Sequence, residues 1–114
     1  MAKQTREQRI ETEIAKLMEI FRELPEKKLK LITPTIENAC FMKVTLEDLR
    51  ENIINEGTKE KYQNSETQFG FKKSTSLSAY NSLIKNYTST IDRLEKYLPT
   101  EVAKAGKLSE FTGE

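Results

Sequence analysis

Histidine and tryptophan are absent from this chain of 114 residues, and it has a single cysteine, Cys40. Without histidine there is no imidazole to act as a general base near neutral pH or to hold a metal. A lone cysteine cannot close an internal disulfide, and zinc sites need several Cys or His ligands, so neither a disulfide scaffold nor a zinc site is expected. Cys40 lies among Ala39, Phe41 and Met42, where it reads as a small buried hydrophobe rather than a nucleophile. Long apolar runs are also missing. No stretch of about 20 apolar residues could span a bilayer. The first residues, Met1 to Arg6, lack the apolar core of a signal peptide, so the chain is expected to be cytoplasmic and without a membrane partner. The Asn86-Tyr87-Thr88 triplet is then incidental as a glycosylation signal. Gly106-Lys107 lacks the upstream glycine and the following Ser/Thr of a phosphate-binding loop. No catalytic constellation, cofactor site or metal site is expected.

Charge is plentiful but balanced, with 19 basic against 18 acidic residues, which argues against binding nucleic acid through overall charge alone. Its distribution is uneven. Residues 1–30 have eight basic and six acidic side chains, 31–57 two and five, and 58–73 four and two, so basic flanks border an acidic middle. The apolar residues, 36% of the chain, follow helical spacing. One series runs Ile32, Thr35, Ala39, Met42, Leu46, Leu49, Ile53, and a second runs Leu77, Tyr80, Ile84, Tyr87, Ile91, Leu94, Leu98. Steps averaging 3.5 residues put each series on one side of an α-helix and predict an all-α fold built on an antiparallel helical hairpin with facing seams.

An additional amphipathic N-terminal helix is expected over 5–24, with Ile10, Ile14, Leu17, Phe21 and Leu24 as its stripe, ended by Pro25. The second helix is expected over 26–55, broken or kinked near Pro34 and capped by Gly57. Phe41 and Val44 give it a second apolar stripe. Residues 57–73 lose the helical period and form an expected aromatic loop. There Tyr62, Phe69 and Phe71 flank Asn64-Ser65, which allows a short β-hairpin and a docking role for the rings. The third helix is expected over 75–98, before Pro99, and 100–114 is a tail in which Val102, Ala103, Leu108 and Phe111 make a docking peptide or a frayed end. A single helical domain this thin buries little alone. The sequence leaves open whether the first helix packs on its own hairpin or on a neighbouring copy. A homo-oligomer joined through Ile10, Ile14, Leu17, Phe21 and Leu24 is the preferred reading, against a monomeric three-helix bundle.

Pro34 to Leu49 (PTIENACFMKVTLEDL), Tyr62 to Ser74 (YQNSETQFGFKKS), Ala79 to Tyr87 (AYNSLIKNY) and Leu94 to Pro99 (LEKYLP) together resemble the small subunit of phage terminases. The likeness covers roughly residues 25–99. Such relatives commonly have Asn-Gly where this chain has Asn64-Ser65, and proline where it has Thr75. The resemblance implies a non-catalytic protein of phage DNA packaging. It would recognise viral double-stranded DNA as an oligomer and regulate a terminase large subunit, in the cytoplasm of a bacterial host. Candidate phosphate contacts are Arg6, Arg9, Lys27, Lys28 and Lys30, with Lys59, Lys61, Lys72 and Lys73 as a second patch. The competing reading is a helical adaptor or inhibitor that binds protein and no nucleic acid.

Overall fold

The computed structural model describes residues 4–63, 66–100 and 106–113, and their side chains over 4–55, 76–100 and 106–113. Among the described residues four α-helices are placed, α1 (Arg6–Ile20), α2 (Glu26–Gln63), α3 (Glu66–Glu95) and α4 (Lys107–Thr112), and there is no strand. The all-α expectation holds. None of the described helices is long and apolar enough to cross a membrane.

The start of α1 is written in its first four residues. The Thr5 hydroxyl accepts from the Gln8 amide at 3.1 Å, and the Gln8 side chain accepts from the Thr5 amide at 2.8 Å, a reciprocal capping box. The helix ends one turn earlier than expected. Ahead of Pro25 the backbone tightens into turns, with Arg22 N–H donating to Glu19 O and Leu24 N–H to Phe21 O. The chain then reverses into α2.

α2 runs through Pro34 without the break that proline suggests. Pro34 sits on the solvent side, so the Lys30 carbonyl that loses its amide donor can be met by water. One residue earlier, the Thr33 hydroxyl donates to Leu29 O at 2.7 Å. Ile32 and Ile36, on either side of the proline, are both buried, and their packing holds the helix across the interruption. Thirty-eight residues at about 1.5 Å each give about 57 Å, close to the molecule's longest dimension of 56 Å.

The expected loop over 57–73 is another correction. Backbone helix continues to Gln63 and resumes at Glu66, so neither the loop nor the β-hairpin forms over the described residues, and Asn64-Ser65 lies outside them. Loss of apolar period signals loss of a buried face, which a polar helix does not need. Gly57 and Gly70 cost only about 1 kcal/mol each in a helix interior. The lysines, glutamates and glutamines around them are good helix formers.

One core joins all four helices. Leu17 and Phe21 of α1 meet Ile32, Ile36, Ala39, Cys40 and Leu46 of α2, Tyr87 and Leu94 of α3, Leu98 beyond it, and Leu108 and Phe111 of α4. The predicted seams supply Ile32, Ala39, Leu46, Tyr87, Leu94 and Leu98. α2 and α3 pack on each other, α1 packs on α2, and α4 packs on α1. The second stripe of α2 differs from expectation. Val44 is buried as foreseen, but Ile36 and Cys40 accompany it and Phe41 points outward.

Over residues 106–113 the tail is neither frayed nor detached. Gly106 directly precedes α4 with φ of 71°, a left-handed conformation that suits glycine. Leu108 and Phe111 project from α4 into the core.

Candidate nucleic-acid interface

The nine candidate cations do not form one surface. Arg6, just inside α1, donates from Nη1 to Asp48 Oδ2 at 2.6 Å and from Nη2 to the Thr45 hydroxyl, while its guanidinium carbon stands 5.1 Å from the centroid of the Phe41 ring. Arg9, one turn on, reaches Asp48 Oδ1 at 2.8 Å and Glu47 Oε1 at 3.0 Å. Hydrogen bonds to Asp48 and Glu47 raise the Arg9 pKa above its ordinary value, with burial opposing weakly. These side chains are partly exposed, so each pair contributes about 1 kcal/mol or less to stability. The larger effect is on availability, since both terminal nitrogens of each guanidinium already donate to α2 side chains. Arg6 and Arg9, candidate phosphate contacts by sequence, here clamp α1 to α2.

Lys27, Lys28 and Lys30 are exposed in the first turns of α2. Lys30 makes a loose pair with Glu26 at 3.6 Å, and Lys27 and Lys28 have no ion-pair partner among the described residues. The side chains of Lys59, Lys61, Lys72 and Lys73, and those of Tyr62, Phe69 and Phe71, lie outside the described residues. Their backbones are in α2 and α3.

The apolar candidates on α1 have a different use from the one expected. Leu17 and Phe21 are fully buried within the chain, and Ile10, Ile14 and Leu24 pack partly buried against the same core. The stripe is covered by α2 and α4 rather than left for a neighbouring copy. The sequence left that choice open because an amphipathic helix does not say which apolar face it meets.

Lys43 is the polar centre that sequence reasoning missed. Its ammonium donates to Glu13 Oε1 of α1 at 2.6 Å and to the Phe111 carbonyl of α4 at 2.8 Å, and lies 4.1 Å from the centroid of the Phe111 ring. Both members of the Lys43–Glu13 pair are largely covered, their side chains 19% and 14% exposed. Burial pushes the Glu13 carboxyl upward, but hydrogen bonds and charge from Lys43 and Lys16 outweigh it and hold the group below its ordinary pKa. Next to this cluster, burial first, and then the charges of Glu13 and Glu37, push the Cys40 thiol up to about 12, against a weaker pull from Lys43. The thiol stays protonated, which suits packing and not nucleophilic chemistry.

An open groove of about 440 Å³ lies between α2, α3 and α4, with Ile84 and Ile91 on its walls and both signs of charge at its rim, Lys43 and Arg50 opposite Asp92 and Glu95. That mixed rim offers no uniform attraction to phosphate. Among the described residues no group of three or more cysteine, aspartate or glutamate side chains is placed to hold a metal ion. Comparison with protein-family models, curated proteins and solved structures finds no match to this chain.

Proposed function

We propose that the chain is a non-catalytic, DNA-recognising regulatory small subunit of a phage terminase, acting as an oligomer that presents viral double-stranded DNA to a large subunit in the bacterial cytoplasm. The observation that carries it on the structural side is the trio of exposed lysines at the start of α2, two of them without a carboxylate partner among the described residues. The sequence stretches over 25–99 support the same reading. The reading takes α2 and α3 as the antiparallel hairpin of the scaffold, supported by Arg50 Nη2 at 3.4 Å from the Tyr80 hydroxyl and by the depression that Thr35 and Met42 share with Thr90 and Arg93. Because α1 is used internally, oligomer contacts fall on other surfaces.

The test is a titration of duplex DNA with the full chain across salt concentrations. Binding through phosphates falls log-linearly with salt, and Lys27→Gln with Lys28→Gln should flatten the slope by about two. Absence of binding at low salt removes the reading. A protein-binding adaptor is the second reading, and the exposure of Leu31 and Phe41 on α2 favours it.

A further inference from the structure

α2 carries a stripe that lies mostly outside the core, with Lys27, Leu31 and Asn38 exposed, Thr35 half-buried, and Met42 half-buried against the core. Lys27, Leu31, Thr35, Asn38 and Met42 succeed one another at steps of four, four, three and four, so they lie along one side of the helix. Two large apolar side chains stand out on this side, Leu31 at 68% exposure and Phe41 at 52%. Pro34, between them, is also exposed. Thr35, Asn38, Phe41 and Met42 line a shallow depression of about 290 Å³ with Thr90 and Arg93 of α3, large enough to seat an apolar side chain.

Charge around the stripe is mostly of one sign. Lys27 and Lys30 stand at its α2 end and Arg93 at the depression. Lys27 and Arg93 have no ion-pair partner among the described residues, and the Arg6 guanidinium lies over Phe41. Glu37 and Glu26 are the acids at the margin, Glu26 loosely paired with Lys30 at 3.6 Å, and Asp48 is engaged by Arg6 and Arg9.

We propose that this stripe docks an acidic amphipathic helix of a partner protein, its apolar residues on Leu31, Phe41 and Met42 and its carboxylates on Lys27, Lys30 and Arg93. Charge complementarity selects the partner's sign. The apolar pair selects a peptide over duplex DNA, whose phosphate rim would leave Leu31 and Phe41 unmatched. Thr35 and Asn38 within the stripe disfavour a lipid surface, where polar groups on the inserted face would lose hydration without a partner. The proposal shares Lys27 and Lys30 with the DNA reading and is told apart from it by Leu31 and Phe41, which are not phosphate contacts.

Lys27 to Met42 spans about 22 Å, so the probe is a labelled synthetic helix of about fifteen residues with leucines at three-four spacing and glutamates on both flanks. Anisotropy with the full chain is expected to show binding at least about tenfold tighter than to a scrambled peptide of the same composition. Leu31→Ser with Phe41→Ser should weaken binding by about tenfold or more while leaving thermal melting nearly unchanged, because both side chains are exposed in the free protein. Lys27→Glu should weaken it too, and added salt should reduce it in both proteins. Equal affinity for the scrambled peptide would overturn the proposal, as would native affinity in the double serine variant. So would loss of duplex DNA or phosphatidylglycerol-vesicle binding, in place of peptide binding, as the effect of the serine pair.

Discussion

Lys43 concentrates more structural consequence than any other side chain, because its ammonium is shared by a carboxylate, a backbone carbonyl and an aromatic face from two other helices. Replacing it with methionine keeps the apolar stem and leaves the largely covered Glu13 with only the exposed Lys16 as its cation, so Lys43→Met should cost about 2–4 kcal/mol by urea melting. Glu13→Gln on top of it should then cost little more, and a fully additive double variant would show that the two groups act independently. The sign of the pH dependence follows from the depressed Glu13 pKa. Its contribution is fully present above the ordinary carboxylate range and is lost as pH falls through the folded-state value, so acid destabilisation should be shallower in Glu13→Gln. Cys40 is shifted in the other direction. With its thiol held up to about 12 in the core, a thiol reagent at pH 8 should leave the native chain unmodified and label it in urea, and rapid native labelling would place Cys40 outside the core. Cys40 was legible as a buried residue from its apolar neighbours. Lys43 was not, because a lysine enters a core only through partners supplied by distant segments, here 30 and 68 residues away.

At the scale of elements, apolar spacing placed three helices and most of their buried faces, since the 3.6-residue period depends only on which side meets the core. Spacing was silent where the apolar period stops, and so the polar ends of α2 and α3 were read as a loop. The Thr5–Gln8 capping box was present in the sequence as a Thr-x-x-Gln signal and fixes the start of α1. Pro34 is the element-scale cost that packing overrides. Pro34→Ala restores an amide donor at an exposed interior position, and should stabilise the chain by up to about 3 kcal/mol. A lower melting temperature would mean that the proline's geometry is required. α4 is short, yet its two apolar side chains close one side of the core. Phe111→Ala should therefore cost about 3–5 kcal/mol, a loss that a frayed tail would not show.

The whole molecule is elongated, 56 × 34 × 23 Å with a radius of gyration of 17.3 Å, against about 13 Å for a compact domain of this length. Much of α2 therefore has surface to offer, and the exposed lysines and the stripe around Leu31 and Phe41 both lie on it. Deleting α1 should unfold the chain rather than merely dissociate an oligomer, because Leu17 and Phe21 would leave a cavity in its own core. A folded variant lacking residues 1–24, judged by a cooperative urea transition, would refute that. The two ends of the described chain also meet the same stretch of α2. Arg6 and Arg9 reach Asp48 and Glu47, and Thr112 lines a groove together with Glu47 and Arg50. Segments near the two ends of the described chain thus converge on one stretch of α2. Linking the ends with a flexible peptide would restrict only the unfolded ensemble, and move the urea midpoint upward without adding a contact to the native state.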